Sequence, residues 1–568
     1  MKFRKLPVVA AKSALAFGCA AGLVSFRVAA QAPYGAPPAP GTAGVGVPQY
    51  PIPAPAGVPA PAGAPAAAIA AEPGAAGAAP AQARTWGFVP AIDVSETYTD
   101  NANLTATDRL SSFVTSVTPA LAIAGNGARV KLNGTVAAQA LLYRGERDDS
   151  QLYPRANLLG SVEAIEKFFY VEGAVNVYQT YLSAFGAQPA GNIGQTNNRY
   201  TSSIYRVSPY FSGTAPGGAT YLLRNDNVWT EATNTPAGTA GVAGAYYNQT
   251  TGRLEGPVRP VNGAVEFFTN YTKFEAQPSI RTALTRGILN YRPDPQLRLF
   301  ASGGYEWNDY PLQQSQGTIY GGGAEWRPTD RTQALGQWEH RFFGASYLGT
   351  FTHRNPYSAI SVSALRNVYT FPQELFSLPA GGNVTSLVDA ALTTRIPDPT
   401  QRAVAVQDFL RQTGLPATLQ SSVTFYTQQV QLITQESATF ALIGVRNTLA
   451  LTAYYRKTEV ISGANATPLP PALVGIGTAN NTQRGGSVTF SHRLTEITSL
   501  GATANHFWTT DLPPLDTRST TTTIQLGTTT RLGPRTDALA GVGYTKFTST
   551  AAPEYNESHV LVGLAHKF

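Results

Sequence analysis

Cysteine is almost missing from this 568-residue chain, which holds one, Cys19. Disulfide frameworks and cysteine metal sites are thereby excluded. Charge is sparse at 13% of residues. No run of about 18 consecutive apolar residues occurs beyond the N-terminus, which excludes a helical membrane protein. The chemistry-bearing inventory is equally thin, with six histidines, His340, His353, His492, His506, His559 and His566. No Gly-x-Ser-x-Gly elbow, His-Glu-x-x-His or phosphate loop stands in a convincing context. The expectation is therefore no catalytic residue, no metal and no cofactor.

What is abundant is glycine, with 54 residues, and aromatics at 10%. The formal charge of +7 is concentrated at one end, because Lys2, Arg4, Lys5, Lys12 and Arg27 lie where there is no acidic residue. Removing those five from the 41 basic residues leaves 36 against 34 acidic ones. That balance offers no reason to expect a nucleic-acid or acidic partner. Residues 1–30 read as a secretory signal: a basic start, an apolar stretch from Ser13 to Phe26 and Val28-Ala-Ala30 as an A-x-A-like cleavage site. Cys19 is an alternative lipoprotein cysteine, disfavoured by the bulky Phe17 just before it. Residues 31–85 are almost wholly Ala, Pro and Gly, a composition that buries no core and reads as an extended disordered periplasmic linker.

From Trp86 to Phe568 the pattern changes to segments of alternating polarity divided by turn residues. In Asn447 to Arg456 one face carries Leu449, Leu451, Ala453 and Tyr455, while the other carries Thr448, Ala450, Thr452, Tyr454 and Arg456. The stretch Ser487 to Leu494 splits likewise, and in Thr332 to Phe342 the aromatics alternate with Gln337, Glu339 and Arg341. A strand with charged residues on one face and aromatics on the other suits a wet lumen and a lipid exterior better than a soluble core. Connections alternate too. Brief links such as Gly125-Asn-Gly127, Ile165-Glu-Lys167, Pro328-Thr-Asp330 and Gly533-Pro-Arg535 take turns with longer polar ones at Thr99 to Arg109, Ser183 to Arg199 and Ser462 to Asn481. The expected fold is all-β: a large single-chain antiparallel transmembrane β-barrel of about 22 strands, within 18 to 24, with both ends in the periplasm.

Three features refine that expectation. Inward charges would act as selectivity elements, and the alternation nominates Arg298, Glu306, Glu325, Glu339, Arg341, Arg456, Arg493 and Arg531 as lumen-lining. Aromatics at strand ends, including Tyr305, Trp307, Tyr310, Tyr320 and Trp326, are candidates for the interfacial girdles. One connection breaks the loop rule. Residues 371–420, between strands near Ser358 to Thr370 and Ser422 to Phe440, carry helix signals: Asp398 as N-cap, Pro399 at the first helical position and Gly414 as the stop. A second short helix is expected near Thr385 to Thr394. With Val406, Phe409 and Leu410 needing a surface to pack on, this insert is expected to lid the mouth or fold into the lumen as a gate.

The chain stops on an alternating strand, Ser558 to Phe568, in which Val560, Val562, Leu564, His566 and Phe568 share a face. It resembles the C-terminal signal that barrel assembly machinery reads, with Gly563, His566 and Phe568 at matching spacing and Leu561 departing from the usual polar residue. The stretches Pro90 to Leu104, Leu297 to Tyr310, Tyr320-Gly-Gly-Gly-Ala-Glu-Trp-Arg-Pro-Thr-Asp-Arg-Thr332 and Arg341 to Tyr347 together are similar to the PEP-CTERM (exosortase) system-associated outer-membrane barrel proteins. That resemblance covers roughly Trp86 to Phe568, and the Ala/Pro linker is not part of it. It implies an association with exopolysaccharide production and export, and it carries over no catalytic residue.

The resulting expectation is a non-enzymatic Gram-negative outer-membrane barrel that passes or anchors exopolysaccharide or another bulky polar solute. Its expected partners are outer-membrane lipids, the barrel assembly machinery and exopolysaccharide or its export machinery. The alternatives are a closed structural or adhesive scaffold and, third, a barrel-embedded hydrolase using His353, His506 or His559. A plugged siderophore-type transporter is disfavoured, because the pre-barrel segment has no composition for a folded plug.

Overall fold

A computed structural model describes residues 86–144, 150–189, 191–235, 244–275, 278–310, 313–377, 388, 392, 427–461, 480–513 and 516–568. The first eight strands are β1 (Trp86–Thr99), β2 (Ser112–Asn126), β3 (Val130–Arg144), β4 (Gln151–Ile165), β5 (Phe169–Tyr181), β6 (Arg199–Thr214), β7 (Thr220–Thr233) and β8 (Ala245–Glu255). Next come β9 (Val261–Phe274), β10 (Ile280–Asp294), β11 (Leu297–Tyr310), β12 (Gln313–Thr329), β13 (Thr332–Arg341), β14 (Gly344–Asn355), β15 (Ser358–Tyr369) and a short helix α1 (Phe371–Ser377). The remainder is β16 (Gln431–Ile443), β17 (Asn447–Val460), β18 (Asn481–Arg493), β19 (Thr498–Asp511), β20 (Arg518–Gly533), β21 (Thr536–Ser549) and β22 (Tyr555–Lys567). Each strand pairs antiparallel with its neighbours in sequence, and β22 returns to β1, so the 22 strands form one closed barrel.

Closure removes every sheet edge, which is the condition for a β-structure to stand in hydrocarbon. At the seam Ala91 faces Lys567 and Thr99 faces His559. The Phe568 amide donates to the Pro90 carbonyl at 3.0 Å, and Thr99 Oγ1 donates to Glu557 Oε1 at 2.9 Å. Gly563 sits in this seam, where a Cβ would come within 2.8 Å of Ser95 Cβ. His566 and Phe568 meet edge to face with ring centroids 4.9 Å apart on the outer surface.

The alternation read from the sequence governs the cross-section. In β17 Thr448, Ala450, Thr452, Tyr454, Arg456 and Thr458 are buried inward, whereas Leu451 and Tyr455 are exposed outward. The outward apolar band includes Val94, Val265, Leu289, Val488, Ile524 and Val560. Exposed Trp86, Phe88, Tyr291 and Trp326 lie toward the end bearing the short turns. Tyr98, Phe113, Trp229, Trp307 and Trp508 lie toward the loop end, completing two aromatic girdles. Tyr310 is not among them: it is buried inside, where its hydroxyl donates to Asn308 Oδ1 at 3.1 Å and its ring lies 5.8 Å from Phe342. Tyr310 sits one residue past the outward Asp309 and three past the outward Trp307, so the period-two count turns it inward.

The insert also differs from its expected boundaries. β16 begins at Gln431, not near Ser422, and the described helix is α1, immediately after β15. Val388 and Leu392 are helical, in agreement with a helix near Thr385 to Thr394. Asp398, Pro399, Val406, Phe409, Leu410 and Gly414 lie outside the described residues.

Candidate functional site in the lumen

The inward wall from β5 to β13 carries several clusters of ion pairs. Arg224 on β7 reaches Glu172 on β5 at 2.7 Å and its own strand's Asp226 at 2.9 Å, and Ser208 on β6 donates to the same Asp226 oxygen at 2.5 Å. A longer chain of alternating sign follows. Arg253 on β8 pairs with Glu266 on β9, Glu266 with Arg286 on β10 at 2.8 Å, and Arg286 with Glu339 on β13, which also accepts from Ser302 on β11 at 3.0 Å. Above it Arg341 holds Glu306 at 2.5 Å and donates to Asn367 on β15 at 2.8 Å. Toward the turns Arg298 holds Glu325 at 2.8 Å and donates to Asn290 at 3.2 Å.

Arg286 reaches three strands away because the sequence clears its path. Its cross-strand partner on β11 is Gly304, and Glu339 is itself paired with Gly321 on β12. A Cβ at Gly304 would lie 2.7 Å from Arg286 Cβ, and one at Gly321 would lie 2.2 Å from the Trp338 carbonyl oxygen. Neither position has room for a side chain, and the Arg286 guanidinium passes over them to Glu339. Pairs this deeply shielded make rigid supports, since removing one partner strands a buried charge at about 3–5 kcal/mol.

The wall from β16 to β21 is different. Gln435, Thr439, Thr452, Gln483, Ser487, Thr489, Asn505, Thr509, Thr521, Thr523 and Thr545 face inward and are buried. Among the described residues Ser487 Oγ, Asn505 Oδ1, Thr521 Oγ1, Gln525 Nε2 and Thr545 Oγ1 find no hydrogen-bond partner, as do polar atoms of β5 to β12 such as Asn176 Oδ1, Asn262 Oδ1 and Asn308 Nδ2. Arg493 and Arg531 share the inward parity but sit half-exposed at the turn end, where Arg493 donates to the Val445 carbonyl at 2.9 Å. All eight sequence-nominated lumen residues thus lie on the inward face. Six join ion pairs, and two stand at the rim.

Two chain segments enter the lumen. The first is α1. Glu374 pairs with Arg456 on β17 at 2.6 Å with both side chains fully shielded. Gln373 accepts from Asn270 on β9 at 3.2 Å, Thr370 meets Thr272 at 3.2 Å, and Leu375 packs on Ile204, Val228 and Tyr247 of β6, β7 and β8. The helix therefore ties strands eight to eleven positions apart around the barrel, β6 lying directly opposite β17 in the ring of 22. Beside it one apolar cluster joins Ala245, Phe274, Ile280, Tyr310 and Val430 with Phe342, Val368 and Ile461, drawing the loop ends of β8 through β17 together.

The second segment is the β5–β6 connection, residues 182–198. Its Ala184 and Phe185 carbonyls accept from Ser519 on β20 and Ser549 on β21, both at 3.1 Å. Asn192 donates to Gln139 on β3 at 2.9 Å, and the Ile193 carbonyl accepts from Tyr143 at 2.7 Å. Arg199 holds the connection's shape by donating to the Asn192 and Gly191 carbonyls at 3.0 and 2.6 Å. The first loop locks against it: the Gln195 amide donates to the Ala102 carbonyl at 2.8 Å, and Leu104, in a left-handed conformation at φ 53°, is buried with Phe547 and Tyr555. A leucine keeps that conformation only where surrounding contacts over-determine it. This in-folding was not foreseen. A polar loop of this composition reads the same outside or inside, and the buried Phe185 is its one internal hint.

Arg253, Glu266, Arg286 and Glu374 were likewise missed, since alternation gives the face of a residue but not its partner across strands. Among the described residues no group of three or more His, Cys, Asp or Glu side chains converges as for a metal.

No family model matches the chain, and no curated protein sequence matches it. Solved structures with a similar fold include the siderophore receptor PirA from Acinetobacter baumannii, at 8% identity and TM-score 0.42, covering 85% of this chain and 80% of that one. The FrpB iron transporter from Neisseria meningitidis matches at 7% identity and TM-score 0.43, over 86% and 81% of the two chains. The outer membrane protein opdK from Pseudomonas aeruginosa matches at 8% identity and TM-score 0.34, over 85% and 99%.

Proposed function

We propose that this protein is an outer-membrane conduit for a bulky, hydroxylated, largely uncharged solute, an exopolysaccharide being the cargo class, with α1 and residues 182–198 as its constriction. The observation that carries the reading is the contrast inside the lumen. The carboxylates of β5 to β13 are tied to arginines in ion pairs, whereas the middle of β16 to β21, between Arg456 near the loops and Arg493 and Arg531 at the turn end, is lined mainly by uncharged hydroxyls and amides. Such a wall exchanges hydrogen bonds with sugar hydroxyls and gives little preference to ions of either sign. The Glu374–Arg456 pair is the latch of the constriction.

A closed scaffold is the second reading, favoured by the same two in-folded segments. Planar-bilayer conductance separates them. A conduit gives discrete steps that enlarge in Glu374→Gln and are blocked by neutral oligosaccharide. A barrel that never conducts, with or without residues 371–420, sinks the conduit and leaves the scaffold.

A further inference from the structure

On the outer wall, near the loop ends of β9 to β12, the surface carries a depression of about 820 Å³. It is lined by Tyr271, Arg281, Trp307, Asp309, Gln314 and Gln316, among others, and these six face away from the lumen. Arg281 stands directly across from Asp309 on one side and Tyr271 on the other, and its guanidinium lies 5.6 Å from the Tyr271 ring centroid. Among the described residues it makes no ion pair, although a carboxylate is its register partner. Asp309 instead lies 3.5 Å from the Gln314 amide. Trp307 is 46% exposed beside them.

This position is the aromatic girdle at the loop end, where acyl chains give way to headgroups. Elsewhere on that girdle an outward arginine simply covers an aromatic ring, as Arg484 does over Trp508 at 5.5 Å. Here the same arrangement is hollowed out and edged with amides and a carboxylate. Aromatic faces stack on sugar rings. Asp309, Gln314 and Gln316 supply acceptors and donors for hydroxyls, and an uncommitted guanidinium suits a phosphate, which it binds through paired N–H groups.

We propose that this depression is a binding site for the phosphorylated saccharide headgroup of an outer-leaflet glycolipid, with Arg281 on the phosphate, Tyr271 and Trp307 on the sugar rings, and Asp309 on a hydroxyl. The site lies outside the lumen and does not depend on the conduit reading.

The test is native mass spectrometry of the full chain, purified in mild detergent and titrated with phosphorylated lipid A, its dephosphorylated form, the deacylated phosphodisaccharide and phosphatidylglycerol. The expected result is one tightly held lipid A per chain. Dephosphorylation should weaken binding at least tenfold, and the deacylated disaccharide should bind detectably but more weakly. Arg281→Ala and Trp307→Phe should each lose most of the binding. Arg484→Ala should keep it, and single-channel conductance should be unchanged in all three. Heat-modifiable migration on gels confirms that each variant has folded, and Arg281→Lys, which retains the charge, should recover part of the affinity. Equal retention of lipid A by wild type and Arg281→Ala, or equal binding of phosphatidylglycerol, overturns the proposal.

Discussion

Between β5 and β13 an inward-facing side chain is commonly an arginine or a carboxylate, while between β16 and β21 it is commonly threonine, serine, asparagine or glutamine. Both arcs satisfy the same demand, a polar interior opposite a lipid-facing exterior, yet they solve it differently. On the charged arc the carboxylates are tied to arginines in ion pairs, so the wall is braced and electrically quiet. On the neutral arc the hydroxyls and amides are held by no ion pair, so that wall remains available to whatever passes. The two in-folded segments draw on both, with α1 fixed to Arg456 of the neutral arc and to Asn270 of the charged one.

The sharpest way to break the comparison is to remove a brace. Arg286→Met leaves Glu266 and Glu339 close together without their shared cation and should cost about 3–5 kcal/mol, read as a lower denaturant midpoint in detergent. Thr523→Val on the neutral arc should cost under about 1 kcal/mol. Equal losses at the two sites would mean that the arcs do not differ in rigidity. Next in size is the latch. Glu374→Gln weakens the contact with Arg456 and should raise single-channel conductance severalfold, whereas an unchanged trace would show that α1 does not set the bore.

A smaller effect is expected from the triple variant Asn505→Ala, Thr521→Val and Gln525→Leu. It should shorten the dwell time of a neutral oligosaccharide blocker severalfold without altering ion selectivity. Loss of ion selectivity instead would reassign the neutral wall to ion handling. The least effect belongs to the rim. Arg493→Ala with Arg531→Ala should shift the reversal potential by only a few millivolts and leave the unfolding midpoint in place, because surface charges beyond a Debye length are largely screened.

The sequence was legible where one residue decides its own placement. Leu451 against Thr452, or Val560 against Leu561, follows from alternation alone, and so do the strand number and the inward face of Arg298 and Glu339. It was illegible wherever placement depends on another strand. Nothing local to Arg286 announces that Gly304 and Gly321 leave it an open route to Glu339. Nothing in residues 182–198 distinguishes a loop that reaches Ser519 from one that reaches solvent. Tyr310 shows the intermediate case, in which the alternation held but an expectation about aromatics at strand ends overrode it.

The seam between β1 and β22 bears on how the chain is made. Thr99 and Glu557, which share a hydrogen bond, are 458 residues apart in sequence. Contacts of such separation close late, because the loop entropy is lost before the contact returns anything. The first strand must therefore wait through synthesis and transit of the remainder with one edge unsatisfied, a template for stray pairing throughout. The order of events is thus imposed by topology: the hairpins zip in sequence, and the last strand completes a ring that no partial chain can close. Shortening β22 should accordingly harm the yield of assembled barrel far more than the same deletion in an extracellular loop, with the lost material recovered as aggregate before it reaches the bilayer.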